Sequence, residues 1–143
     1  MLRNALNGHK AGTFINKYRR ARFSMLLKLL ESFEPPVKIL DIGGVHHFWL
    51  AMDLSEMPEF HVTFLNQWPA STKSELPNSV YAKGDGRSMP QYADNEFDIA
   101  FPNSVIEHVG GLRDQKRMAN EVHRIGKSFF VQTPNRHFPI EAH

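Results

Sequence analysis

The chain has 143 residues, of which 41% are hydrophobic and 22% charged, with a formal net charge of +2 and a pI near 9.0. That length suits one domain with one core, and the lack of cysteine excludes a disulfide framework and a thiolate metal site. The charge is too mild to argue for nucleic acid, no apolar run approaches the ~20 residues of a membrane span, and the start lacks a signal peptide's apolar segment and cleavage site. A soluble, cytoplasmic protein is the expectation.

Residues 1–22 read as a basic N-terminal arm and the start of a helix, and residues 23–143 as the folded domain. The positive excess is local: residues 1–34 hold seven Lys/Arg against Glu31 and Glu34. The cluster Lys17, Arg19, Arg20 and Arg22 reads first as a solvated helix face, and second as a contact for an acidic partner or membrane surface. Phe23, Leu26, Leu27, Leu30 and Phe33 then fall on one apolar stripe at helical spacing. Pro35-Pro36 end that helix and deliver the chain into a strand.

Val37 to Leu40 is enough for a short buried strand, which Asp41 is expected to end before Gly43-Gly44. Glycine lets a backbone turn through positive φ and lets a ligand lie against the main chain. A parallel strand ending in an acid and a glycine turn is where doubly wound α/β proteins hold nucleotide-like ligands; a plain tight turn is the alternative. His46 to Leu54 suggests a short buried helix. His61–Leu65, Ser79–Lys83, Phe97–Phe101 and Ser128–Gln132 read as the second to fifth strands, each followed by polar or turn-forming residues. Residues 68–78 show no helical stripe. Ser104 and Glu107 have capping-box spacing, predicting a helical turn that Gly110-Gly111 would end. Met118, Val122 and Ile125 predict a helix over 112–125 with Gly126 as its stop. Strands alternating with long connections argue for an open, mostly parallel α/β sheet of about five strands with helices on its faces.

Four segments taken in order, I-L-D-I-G-G, G-D-G-R-S-M-P, F-D-I-A-F-P-N-S-V-I-E-H-V and F-F-V-Q-T-P-N, resemble the class I S-adenosylmethionine-dependent methyltransferases, in their small-molecule, methyltransferase-11-like form. The likeness covers about residues 23–138. It implies a Rossmann-like sheet in the order 3-2-1-4-5, S-adenosylmethionine as cofactor, and a cofactor site at the carboxyl ends of the strands. By that resemblance Asp41 would face the positive methionine end of the cofactor, and Gly43 and Gly44 would let the backbone approach it. Asn66 stands where the family usually has an acid for the ribose hydroxyls, so it would donate and accept without charge, or pass the contact to Gln67. Asp85 would accept from the adenine amino group, with a backbone N–H from Gly86 or Arg87, and Asn103 would lie beside the methionine moiety. The family's D-x-G-x-G-x-G is only partly present in Asp41-Ile42-Gly43-Gly44-Val45-His46-His47.

His108 is the candidate general base, since histidine titrates near neutrality; stacking on substrate or closing the short helix is the bland role. Asn135, Arg136, His137 and Phe138 follow the fifth strand on the same rim, and Asn135, Arg136 and Phe138 are taken as substrate-facing. His46-His47 diverge as neighbours and no ligand spacing occurs, so no metal is expected. A methyltransferase acting on a small or medium-sized acceptor is the leading reading. A catalytically idle cofactor-binding or interaction protein is the alternative, and a dinucleotide oxidoreductase is opposed by the lack of G-x-G-x-x-G. The class fold is expected to have seven strands, yet the sequence stops eleven residues after Gln132. Either a fragment or self-association through the fifth strand is therefore expected, because an unpaired apolar edge invites pairing.

Overall fold

The computed structural model describes residues 21–52, 54, 57–68 and 73–133. Residues 21–30 form helix α1, and Phe23, Leu26 and Leu30 from its apolar stripe are buried. The arm before it, with Lys17, Arg19 and Arg20, lies outside the described residues. Five strands follow: β1 (Val37–Ile42), β2 (Phe60–Asn66), β3 (Ser79–Lys83), β4 (Phe97–Pro102) and β5 (Gly126–Phe129). They make one sheet in the order β3-β2-β1-β4-β5, with every pairing parallel. The expected order and class are those observed.

The central strands are buried on both faces, as parallel sheets require. Val37, Ile39, Phe64, Ile99 and Phe101 point toward α1 and helix α2 (His46–Leu50), where Trp49 is fully buried. Leu40, Ile42, Leu65 and Ala100 point the other way, toward helix α3 (Leu112–Ile125) and its Met118, Val122 and Ile125. An Arg124 hub locks α3 to the loop between β3 and β4: its guanidinium bonds Glu121, Asp94 and the carbonyls of Met89 and Tyr92. On β4, Asp98 accepts from the Lys38 N–H at 2.8 Å and the Lys127 ammonium at 2.6 Å. Burial raises its pKa, but these two partners outweigh that and hold the carboxyl below its ordinary range.

Four local expectations need correction. β1 runs through Asp41 to Ile42, because both residues pair with β2 and β4. α2 stops at Leu50 instead of Leu54. β5 begins at Gly126, directly at the end of α3, where a Cβ would meet Ala100 and the Ser128 carbonyl. Its pairing continues past the strand proper, with the Gln132 N–H donating to Pro102 and the Ser104 N–H to Gln132. The capping box is not formed: a 3-10 turn covers Ile106–His108, its cap is Val105, and no side chain caps it. Ser104 sits at φ 51°, not in the extended backbone that an N-cap serine uses.

Candidate functional site

Parallel strands leave their carboxyl ends on one rim, and the loops leaving β1, β2, β3 and β4 converge there. A cleft of about 490 Å³ opens between them, lined by Gly43, Asn66–Trp68, Gly84–Arg87, Ser104–Val105 and His108–Val109, with Ile42 and Leu65 at its floor. That size is in the range of small-molecule sites. Of the residues singled out in the sequence, it brings together Gly43, Asn66, Asp85, Gly86 and His108. Asp41, Gly44 and Asn103 do not line it. Asn135, Arg136 and Phe138 lie outside the described residues.

Asn66 ends β2 and donates one amide hydrogen to the Gly44 carbonyl at 2.9 Å, which orients the side-chain oxygen as the acceptor it can offer. Asp85 follows β3 in a tight turn. Its Oδ1 accepts the Arg87 backbone N–H at 2.9 Å, and its Oδ2 takes Arg87 Nη2 at 2.7 Å. The Arg87 guanidinium holds this carboxyl below its usual range. The Arg87 N–H is thus already engaged, leaving Gly86 as the one that could offer a backbone donor. Arg87 Nη1 also reaches the Val109 carbonyl at 3.2 Å, tying the loop after β3 to the loop after β4.

Asp41 is buried to 1% exposure, with Trp49 Nε1 donating to its Oδ2 at 2.8 Å and no partner for Oδ1. Burial pushes its pKa up to about 7, with the indole bond acting in the opposite direction. Two close approaches shape the glycine turn. Gly43 has φ +77°, and a Cβ there would lie 2.6 Å from Val105 Cγ2. A Cβ on Gly44 would lie 2.1 Å from the Asp41 carboxylate. Side chains of this chain therefore already occupy the space that each glycine leaves.

His108 projects from the 3-10 turn with a side chain 70% exposed and its Nε2 3.9 Å from Glu107 Oε1. Both Glu107 oxygens and Asn103 Oδ1 are buried and make no hydrogen bond among the described residues. Sequence reasoning missed Trp68 and Val105. Trp68 lies two residues beyond the end of β2, on the cleft rim, 81% exposed with Lys83 Nζ 4.8 Å over its ring. The available signal was position alone, since each lies two residues beyond a predicted site residue, Trp68 after Asn66 and Val105 after Asn103.

Among the described residues no helix is long and apolar enough to cross a membrane. No curated protein sequence matches the chain. Solved structures do. The YcgJ protein from Bacillus subtilis superposes with a TM-score of 0.58 at 22% identity, over 78% of this chain and 49% of that one. A putative sarcosine dimethylglycine methyltransferase from Galdieria sulphuraria gives 0.57 at 17%, over 83% and 44%. CalH, described as a trans-methyltransferase in complex with S-adenosylhomocysteine, gives 0.56 at 17%, over 74% and 34%. The chain thus spans about half or less of the length of these three. At such identities they establish the fold. A family model for the methyltransferase domain matches residues 40–128, most of the chain. By that match and this sheet order, the chain belongs to the methyltransferase domain family, the class I fold whose cofactor is S-adenosylmethionine.

Proposed function

We propose that the chain binds S-adenosylmethionine in this cleft and transfers its methyl group to a small or medium-sized acceptor. The observation that carries the reading is the cleft itself: it stands at the carboxyl ends of β1 to β4, where sheets of this class hold nucleotide-like ligands, in a chain of this family. The residues fit the nucleoside end of that cofactor. Asn66 supplies an acceptor for a ribose hydroxyl, Asp85 an anionic acceptor for an exocyclic amine, and Leu65 and Val109 an apolar wall for a purine. Asp41 packs against Gly44 in the glycine turn, and neither they nor Asn103 line this surface.

When bound, S-adenosylmethionine supplies an electrophilic methyl carbon on a sulfonium, and transfer leaves the neutral thioether. Alignment of the nucleophile does most of the work. His108, on the same cleft, is the group proposed to take the proton that an oxygen or nitrogen acceptor loses. Asn135, Arg136 and Phe138 follow β5 in sequence and are proposed for the acceptor side. A small-molecule acceptor suits the description of the Galdieria neighbour. Phe129 at the end of β5 and Val131 just beyond it, 52% and 45% exposed, support pairing of two copies there, which light scattering over a concentration series tests.

Calorimetry with S-adenosylmethionine, S-adenosylhomocysteine and NAD, run in parallel, tests the cofactor reading. Both sulfur ligands are expected to bind, and NAD is not. Binding of NAD with no response to either sulfur ligand would overturn it.

A further inference from the structure

Two buried carboxylates of the sheet are treated differently. Asp98 accepts from the Lys127 ammonium at 2.6 Å and the Lys38 N–H at 2.8 Å, partners that outweigh its burial. Asp41 stands in aromatic surroundings instead. In the sheet register it is level with Phe64 of β2 and Phe101 of β4, and Trp49 lies above, its ring edge-on to Phe101 at 5.8 Å. The indole N–H holds Oδ2, while Oδ1 is buried and makes no hydrogen bond among the described residues. Burial favours the protonated carboxyl and the indole bond the ionised one, so that Asp41 titrates at about 7. A positive charge arriving nearby would decide between the two forms.

The cleft begins one residue away. Gly43 is part of its lining, and Gly44, the next residue, packs on the Asp41 carboxyl. Gly44 is also tied to the cleft through its carbonyl, which accepts the Asn66 amide at 2.9 Å. A ligand lying against Gly43 therefore comes within about one residue's span of Asp41. Ser104 and Arg87 in the same lining are donors and suit an anionic group. A cationic group at the glycine turn is answered by the acid behind it.

We propose that Trp49 is a positioning residue for the ligand's cationic end: it holds one oxygen of Asp41, leaves the other to answer the cation, and thereby makes ligand binding release a proton. The inference rests on the cofactor reading above and deepens it. S-adenosylmethionine brings a sulfonium and an ammonium to this place, and S-adenosylhomocysteine an ammonium. As either binds, the O–H bond of Asp41 breaks, the electron pair stays on the carboxylate, and the proton passes to the buffer.

The test is calorimetry of S-adenosylhomocysteine binding to the intact chain, in two buffers of different ionisation enthalpy, from about pH 6 to about pH 8. Near the lower end the parent is expected to release about half a proton or more per ligand, and its affinity should rise about tenfold across the range. In Asp41→Asn both effects should vanish. Trp49→Phe keeps a ring and deletes the N–H. Its rise in affinity should move to higher pH, because the indole bond favours the ionised carboxyl, a change that a merely structural role would not produce. Should Trp49→Phe not fold, the indole N–H resonance of Trp49 in the parent serves. It should shift when ligand is added near the lower pH, since a carboxylate accepts a stronger hydrogen bond than a carboxylic acid does. Binding without proton release overturns the proposal and leaves the cofactor reading intact. So does a release that persists in Asp41→Asn and thus comes from another group, such as His108. An unmoved profile in Trp49→Phe, or an unmoved indole resonance, overturns it likewise. No binding of S-adenosylhomocysteine at any pH would overturn the cofactor reading, and the proposal with it.

Discussion

Trp49 donates its indole N–H to Oδ2 of Asp41 at 2.8 Å, joining α2 to the end of β1 through a bond that is buried on both sides. The bond orients the carboxyl but does not neutralise it, and burial raises the pKa to about 7. The folded state therefore holds this proton over a window, from about pH 4 to about pH 7, in which the unfolded chain has released it. Stability falls as pH rises through that window, and the whole loss is in place above it. Asp41→Asn keeps the size and an acceptor for Trp49 and removes the titration. It is expected to melt close to the parent at about pH 4 and to be more stable at about pH 8, by about 2–4 kcal/mol. Thermal melts at the two pH values decide it; a variant less stable at the higher pH would show that the ionised carboxylate is favourable where it lies.

The glycines of the chain differ in what surrounds them. At Gly44 an added methyl would collide with the Asp41 carboxyl at 2.1 Å. Gly111, the N-cap of α3, has extended backbone, nothing within 4 Å of an added Cβ, and no side-chain cap. Gly44→Ala is expected to cost about 1–3 kcal/mol as overpacking. Gly111→Ser supplies a hydroxyl to an uncapped helix start and should stabilise by about 0.3 kcal/mol, a few tenths being the usual gain over a glycine cap. Urea titrations of the two variants read both; equal effects would mean that the local geometry does not govern them.

His108→Ala should leave the melting temperature and S-adenosylhomocysteine affinity near those of the parent, since the side chain is 70% exposed and caps nothing. With an acceptor in hand, turnover should fall by about 10²-fold or more if the histidine takes the proton. A drop in melting temperature with turnover preserved would assign it a structural role instead.

The sheet was legible because its signals are local and redundant. Ile39 and Leu40, or Phe64 and Leu65, face opposite cores, so each strand is an apolar run bounded by turn residues. Likewise Met118, Val122 and Ile125 mark the buried face of α3. The capping box misled because Ser104 is also an extension of β4: its N–H is engaged by Gln132, and that long-range pairing sets a backbone incompatible with an N-cap. The site was legible as a rim and less so as a set of contacts. Asp41 has the position of a ligand-facing acid, yet Trp49, eight residues on, claims it. Nothing in the spacing of the two reveals that bond. Val105 closes Gly43 from a loop 62 residues away, a relation that only the packing of β1 against β4 creates.

Asp85 and Arg87 pose the sharpest question about the nucleoside end. The carboxylate lines the cleft, but it is also gripped by the guanidinium at 2.7 Å, so its loss could act directly on a ligand or by releasing Arg87. A direct acceptor role predicts that Asp85→Ala weakens S-adenosylhomocysteine by about 1–3 kcal/mol, the cost of leaving a bound amine unpaired. Arg87→Ala, which leaves the carboxylate in place, should then change affinity by less than about threefold, and the double variant should match Asp85→Ala. An indirect role predicts another pattern: the two single variants lose affinity alike, and the double variant is no worse than either, because both remove one coupled pair. Calorimetric titration of the three variants separates the cases. The direct pattern is the one expected, because the Asp85 side chain remains about one-third exposed beside Arg87 and so can still be reached from the cleft.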